Sequence, residues 1–140
     1  MYLVLSMGAM AVLHFGLPIA QPIVEPYRYA GAVLIGLGGV LGAWGVILFR
    51  RARTGVVPFS EATVLVRSGP YRVSRNPMYL GMAGVLAGTA IWLGSITPWL
   101  VLPAFIRIIG ERFIAPEEAM LESVFGTPYV EYKSAVRRWF

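Results

Sequence analysis

The sequence contains no cysteine and only one histidine, His14. Without cysteine the chain cannot form a disulfide, use a thiolate nucleophile or bind a metal through sulfur. One histidine cannot supply a histidine-based metal centre by itself, so we expect no bound metal. His14 stands alone in an apolar segment, where we expect a hydrogen-bonded residue of helix packing.

Charged residues are also scarce. They make up 14% of the chain, against about 25% in ordinary globular domains, while hydrophobic residues reach 57%. The net charge of +5 could indicate a nucleic-acid partner. However, the basic residues cluster at the ends of apolar runs, which is the pattern of membrane topology. We therefore expect a bilayer as partner and no nucleic acid.

Long segments without charge predict membrane-spanning helices, each of which needs about 20 residues. The segment "GSITPW" (94–99) divides the longest of these runs and is typical of a tight turn. The predicted fold is an all-α integral membrane protein with about four transmembrane helices. These lie near residues 2–20, 29–50, 77–94 and 97–113. Glycines spaced four apart (Gly38 and Gly42, Gly84 and Gly88) predict close helix packing.

The distribution of basic residues predicts that both termini face the cytoplasm. The tail after residue 113 is more polar and predicts a cytoplasmic helical cap. Pro116 should open one cap helix and Gly126 should end it. A second helix over residues 127–140, capped by Thr127, would place Tyr129, Tyr132, Val136 and Trp139 on one face.

The stretch "GPYRVSRNPMYLG" (69–81) allows two interpretations. In the structural one, Asn76 caps a helix that begins at Pro77, and the arginines and tyrosines anchor at the membrane interface. In the functional one, a helical hairpin brings Glu111, Glu117 and Glu118 toward the arginines, forming an ionisable cluster beside the membrane. The residues alone leave both open.

A longer ordered pattern carries a family resemblance. "SGPYRVSRNPMYLG" followed by "PEEAMLESVFGTPYVEYKSAVRRW" resembles the isoprenylcysteine carboxyl methyltransferase and phospholipid methyltransferase superfamily, as a short member of the bacterial or archaeal type. The matching residues are Gly69, Tyr71, Arg75, Pro77, Tyr79, Gly81, Glu117, Glu118, Leu121, Phe125, Gly126, Tyr129, Tyr132, Val136 and Arg138. The resemblance covers roughly residues 55–140. It implies a single domain (1–140), with two N-terminal spans (1–54) followed by a cofactor-binding catalytic region (55–140).

The resemblance further implies an integral membrane enzyme that uses S-adenosylmethionine. The residues that it assigns to cofactor binding are Thr63, Val64, Leu65, Val66, Tyr71, Asn76, Pro77, Met78, Tyr79 and Glu117. Asn76 departs from the family pattern, in which the best-known members carry histidine. Asparagine can donate a hydrogen bond but cannot take up a proton, so an acid–base role at this position is in doubt.

The acceptor is expected to be a lipophilic small molecule, with no obligate protein partner. Carboxyl O-methylation of an isoprenylcysteine-like or other acidic lipid would need an arginine and no base, and Arg112 is the first candidate, Arg75 the second. Methylation of a phospholipid amine is the alternative and would need a base, for which Glu118 is the candidate. A non-catalytic membrane subunit with the same scaffold is the remaining interpretation.

Overall fold

A computed structural model describes residues 1–17, 19–52 and 64–140, and these residues contain α-helices and no β-strand. The predicted cofactor residue Thr63 lies outside the described residues. The helices are α1 (Tyr2–Gly16), α2 (Tyr29–Arg51), α3 (Pro77–Leu93), α4 (Val101–Ile109), α5 (Ala115–Phe125) and α6 (Thr127–Ala135). Short 3-10 turns cover Gly69–Arg72 and Thr97–Leu100, and a π-helical turn covers Gly110–Ile114. The all-α prediction is confirmed for the described residues.

The helices agree only in part with the four predicted spans. Helix α2, with 23 residues, is long and apolar enough to cross a membrane, whereas α1 and α3 are apolar but shorter. Helix α1 ends at Gly16 and not near residue 20, because Leu17 leaves the helical region (φ −138°, ψ 62°) just before a proline in the sequence.

Pro116 lies in the first turn of α5, which begins at Ala115, so the predicted start of the cap helix is confirmed. Helices α4 and α5 are joined by the π-helical turn, and the backbone stays helical at Ile114 (φ −66°, ψ −48°). A proline lacks the N–H that would bond the carbonyl four residues earlier, and a local widening of the helix accommodates it.

The described chain divides into two compact units, and their boundaries do not follow the predicted division at residues 54 and 55. The expectation of one domain remains a prediction. The first unit comprises Met1–Val40 and Gly81–Arg107. In it α1 contacts the 3-10 turn at Thr97–Leu100, and Met10 is fully buried.

Polar side chains of the first unit are used in this packing. His14 Nδ1 lies 2.7 Å from the hydroxyl of the buried Ser95, which confirms the prediction of a hydrogen-bonded packing histidine. The Thr97 hydroxyl donates to the carbonyl of Leu13 at 3.1 Å.

Glycines let α2 and α3 approach through their backbones within the first unit. A Cβ added at Gly38 would lie 2.6 Å from the carbonyl oxygen of Gly81, and one at Gly31 would lie 2.5 Å from that of Gly88. Gly38 and Gly88 were predicted packing glycines, and Gly31 was not. Small residues are required where helix backbones come this close.

The second unit comprises Leu41–Leu80 and Ile108–Phe140. Its buried residues include Tyr71, Ile114, Tyr129 and Tyr132. Gly126 ends α5 with φ +58°, as the sequence predicts.

The predicted second cap helix over residues 127–140 is too long. Helix α6 stops at Ala135, and Val136 is extended (φ −122°, ψ 130°). We call residues 136–139 the C-terminal strap. The backbone carbonyls of Arg137 and Arg138 in it bind the segment before α3, so Val136 and Trp139 do not continue the face of Tyr129 and Tyr132.

The close approach of α2 and α3 predicts that Gly38→Ala destabilises the protein. Its methyl group would collide with the backbone of α3, and overpacking of this kind costs about 1–3 kcal/mol. We expect a lower melting temperature in detergent solution.

Gly39→Ala is the matched control, since a Cβ at Gly39 meets nothing within 4 Å. Alanine is favoured over glycine inside helices by about 0.5–1 kcal/mol, so the melting temperature should stay level or rise. Equal losses in both variants would contradict the packing assignment.

Candidate active site

The second unit contains a cavity of about 610 Å³, counted with the space at its open side. A mostly apolar wall with a few polar groups is typical of small-molecule sites. The residues that line the cavity are Phe49, Val64, Leu65, Val66, Tyr71, Arg75, Asn76, Met78, Tyr79, Glu117, Glu118, Leu121, Tyr129 and Tyr132.

The 3-10 turn at Gly69–Arg72 places Tyr71 in the cavity wall. Gly69 has φ +59°, and a Cβ there would lie 3.0 Å from the side chain of Leu48, so this turn favours glycine for two reasons. The carbonyl of Tyr71 accepts a hydrogen bond from the Tyr132 hydroxyl at 2.7 Å. The turn is therefore tied to α6.

Arg75 is the most unusual group of the cavity wall. Its side chain is only 10% exposed, and its Nη2 lies 3.3 Å from Oε1 of Glu118. Its Nε and Nη1 are buried without a hydrogen-bond partner among the described residues, and so is the Tyr71 hydroxyl. Buried donors without partners are costly. The two residues that carry these atoms, Arg75 and Tyr71, both line the cavity.

Glu118 is held by two arginines. Arg138 donates from Nε to Oε1 at 3.2 Å and from Nη2 to Oε2 at 2.6 Å, in addition to the contact from Arg75. The Glu118 side chain is 8% exposed, whereas that of Arg138 is 45% exposed. A buried carboxylate in this position requires cationic partners.

The C-terminal strap fixes the segment that carries Arg75. The backbone N–H of Arg75 donates to the Arg137 carbonyl at 3.0 Å. The Arg138 carbonyl accepts from the Asn76 side-chain amide at 3.0 Å and from the Ser74 hydroxyl at 3.4 Å. The side-chain amide of Asn76 thus binds protein backbone. The backbone carbonyl of Asn76 accepts the first intrahelical bond of α3, from the backbone N–H of Leu80 at 2.9 Å.

Glu117 lines the same cavity. The Tyr79 hydroxyl donates to its Oε2 at a long 3.4 Å. Burial raises the pKa of Glu117, the hydrogen bond from Tyr79 lowers it, and the neighbouring charge of Glu118 raises it. The balance is a carboxyl group with a pKa above its ordinary value, which a cationic ligand would stabilise in its ionised form.

Three tyrosines that line the cavity lie outside α3, and their phenol groups are neutral: Tyr71, Tyr129 and Tyr132. Burial raises the pKa of Tyr129 and that of Tyr132 to about 12. Burial, followed by the charge of Glu117, also raises the pKa of Tyr71. All three phenols therefore stay protonated at neutral pH and do not act as bases.

Most of the predicted site residues come together at this cavity. Those that line it are Val64, Leu65, Val66, Tyr71, Arg75, Asn76, Met78, Tyr79, Glu117 and Glu118. Pro77 is fully buried at the start of α3 but does not line the cavity. Arg112, the first candidate for acceptor binding, is exposed and does not line it either. The binding and catalytic roles assigned to these residues remain predictions.

Sequence reasoning did not assign Phe49, Leu121, Tyr129 and Tyr132 to the site, although all four line the cavity. The signal for the last three was present in the ordered motif, where Leu121 lies four residues after Glu117 and the two tyrosines are three apart. Arg138 was also part of that motif without an assigned role.

Comparisons with known proteins identify the family. The family model of phospholipid methyltransferases matches residues 27–128. An uncharacterised protein of Haemophilus influenzae is 45% identical over 62 residues, which cover 44% of this chain and 98% of the relative.

Two plant relatives match over longer segments. A probable protein-S-isoprenylcysteine O-methyltransferase of Oryza sativa subsp. indica is 26% identical over 138 residues, covering 95% of this chain and 72% of the relative. Protein-S-isoprenylcysteine O-methyltransferase B of Arabidopsis thaliana is 31% identical over 109 residues, covering 76% of this chain and 55% of the relative. No solved structure matches the chain. Because the family model covers more than half of its length, the chain belongs to the phospholipid methyltransferase family and is a methyltransferase.

Proposed function

We propose that this cavity transfers a methyl group from S-adenosylmethionine to the carboxylate of a lipophilic acceptor, such as an isoprenylcysteine. The observation that carries the proposal is the buried guanidinium of Arg75. Arg75 lines a largely apolar cavity together with the half-buried Glu117, and two of its N–H donors have no hydrogen-bond partner in the described part of the chain.

The residues of the cavity fit the methyl donor. Bound S-adenosylmethionine supplies a methyl group activated by a sulfonium charge. Glu117 would hold the ammonium group of the donor, because its half-buried carboxyl group lines the cavity and accepts only a long hydrogen bond from the neutral Tyr79 hydroxyl among the contacts described above. The N-terminus of α3, where Met78 and Tyr79 lie, would hold the carboxylate. Tyr71 would contact adenine, either through the face of its ring or through a hydrogen bond from the Tyr71 hydroxyl to the polar edge of the base.

Arg75 suits a carboxylate acceptor. A guanidinium binds a carboxylate through two parallel N–H donors, and two donors of Arg75 have no partner in the part of the chain that the structure describes. We therefore propose Arg75, and not the exposed Arg112, as the acceptor-binding residue. The names of the rice and Arabidopsis relatives, protein-S-isoprenylcysteine O-methyltransferases, support an acceptor of this class.

An amine acceptor is less well served by the geometry. A protonated amine must lose a proton before it can accept a methyl group, which requires a base. The candidate base Glu118 is bound by both Arg75 and Arg138, so both of its carboxylate oxygens are occupied by guanidinium donors. An ionised carboxylate acceptor needs no base.

We also propose that the protein is embedded in a membrane with both termini cytoplasmic. Helix α2 meets the length and composition of a span, and α1 and α3 are apolar. Basic residues lie at the end of α2 and in the C-terminal region, whereas the turn at 94–99 has none. A lipophilic acceptor could then reach the cavity from the bilayer.

The role of Glu117 predicts that S-adenosylhomocysteine, the demethylated product, binds more weakly to Glu117→Gln. Loss of a charged hydrogen bond costs about 1.5–3 kcal/mol, roughly a 10- to 150-fold loss of affinity. Isothermal titration calorimetry on detergent-purified protein measures it. Glu122→Gln is the control, since Glu122 lies on the same helix and pairs with Lys133 at the surface.

The raised pKa of Glu117 also predicts a pH dependence of this binding. Only the ionised carboxylate pairs with the ammonium group, so the affinity should rise as pH rises through the pKa of Glu117 and fall below it. The fall should occur above the pH at which ordinary glutamates titrate. Wild-type affinity that does not vary with pH, or that varies equally in Glu117→Gln, would refute the assignment.

The role of Arg75 predicts a separation of cofactor and acceptor effects. Arg75→Ala should retain S-adenosylhomocysteine binding, while the KM for N-acetyl-S-farnesylcysteine rises about tenfold or more. Arg112→Ala should change neither quantity. Transfer of radiolabelled methyl groups measures turnover. Normal kinetics in Arg75→Ala together with loss of turnover in Arg112→Ala would reverse the two assignments.

The proposed topology predicts the sides on which two positions are labelled. The sequence has no cysteine, so Ile96→Cys and Phe140→Cys each introduce a single thiol at an exposed position. In sealed inside-out vesicles, a membrane-impermeant maleimide should label position 140 and leave position 96 unmodified until detergent is added. Equal labelling of both positions before detergent would show that they share one side.

A further inference from the structure

Glu118 is bound unequally by its two arginines. Arg138 contacts both carboxylate oxygens, through Nε at 3.2 Å and Nη2 at 2.6 Å. Arg75 contacts only Oε1, through Nη2 at 3.3 Å. The remaining Arg75 donors, Nε and Nη1, are buried without a partner among residues 1–17, 19–52 and 64–140. The two-pronged contact with Glu118 is thus made by Arg138, which is 45% exposed, and not by the buried Arg75.

Arg75 could itself form the two-pronged contact with Glu118 that Arg138 now makes. A carboxylate and a guanidinium prefer two parallel hydrogen bonds, and the preference is stronger where water is excluded. If Arg138 were absent, Arg75 would remain as a cationic partner of Glu118. Arg75 would then turn toward it and use its free donors in a two-pronged pair. The pair would carry no net charge, whereas the three side chains together carry one net positive charge.

We propose that Arg138 is a positioning residue, which occupies Glu118 so that Arg75 keeps two donors and a net positive charge available for an anionic ligand. The C-terminal strap would therefore be part of the acceptor-binding apparatus, although Arg138 itself does not line the cavity. The inference rests on the proposed function in taking the acceptor carboxylate as that ligand.

The strap is built to hold Arg138 in register with Arg75. The carbonyl of Arg137 accepts from the Arg75 backbone N–H, and the carbonyl of Arg138 accepts from Asn76 and Ser74. The same residue that binds Glu118 through its side chain thus binds the Arg75 segment through its backbone. Substitution of the Arg138 side chain leaves these backbone contacts possible, so that the effect of the side chain can be tested separately.

A double-variant experiment distinguishes positioning from mere support. Arg138→Ala should weaken binding of N-acetyl-S-farnesylcysteine about tenfold or more, because Glu118 captures Arg75. Adding Glu118→Gln removes the competing carboxylate and restores one net positive charge. The double variant should therefore bind the probe more tightly than Arg138→Ala alone and approach the wild-type affinity. If Arg138 only supports the strap, the second substitution will bring no recovery, which would overturn the proposal.

Three comparisons make the result specific. S-adenosylhomocysteine affinity should stay within about twofold of wild type in Arg138→Ala, which shows that the protein is folded and that only acceptor binding has changed. Arg138→Lys, which keeps the charge but loses the two-pronged contact, should lie between wild type and Arg138→Ala. Lys133→Ala removes a cation from an exposed pair on α6 and should have no effect.

A second measurement does not depend on the acceptor. The side-chain N–H resonance of Arg75, assigned by its loss in Arg75→Lys, reports hydrogen bonding at Nε. In Arg138→Ala it should move downfield and exchange more slowly with water, and in the double variant it should return. An unchanged resonance in Arg138→Ala would overturn the proposal. Failure of the wild-type protein to bind the probe, with this resonance behaving as expected, would instead refute only the proposed acceptor.

Discussion

The buried carboxylate of Glu118 is the constraint on which the second unit depends. A charge with an exposed fraction of 8% is tolerated only when cations compensate it, and the two that do so come from distant parts of the chain. Arg75 precedes α3 and Arg138 follows α6, so one ion cluster joins the beginning of α3, α5 and the strap. The tyrosines add to this: the hydroxyl of Tyr132 binds the carbonyl of Tyr71 and ties α6 to the turn at Gly69–Arg72.

The sequence predicted those helix ends that depend on neighbouring residues. The charge-free run from Tyr29, the Asn76-Pro77 pair and Gly126 predicted the beginning of α2, the beginning of α3 and the end of α5, and the helices follow. The end of α6 could not be predicted this way. Helical propensity continues through "SAVRRWF", but the carbonyls of Arg137 and Arg138 bind residues 74–76, and such a contact across the sequence leaves no periodic trace.

The members of the candidate site were predictable from an ordered motif, but their individual parts in it were not. Glu117 and Glu118 are adjacent and chemically identical, yet one faces Tyr79 and the other lies between two arginines. Arg112 and Arg75 both lay near the predicted membrane boundary, and only burial separates them: Arg112 is exposed, whereas Arg75 lines the cavity. Burial and pairing depend on tertiary structure, so residue type and spacing could not assign these roles.

The groups around the cavity share one chemical property: they can bind and orient a ligand, but few of them can accept a proton. The asparagine that replaces the histidine of the family motif cannot be protonated, and its amide is bound to the backbone of Arg138. Glu118 is bound by two arginines, and the pKa values of Tyr129 and Tyr132 are raised to about 12. Methyl transfer to an ionised oxygen is an in-line displacement that requires alignment and exclusion of water, and no general base. This limited capacity for proton transfer supports an acceptor that arrives already ionised, and it explains why asparagine would suffice at position 76.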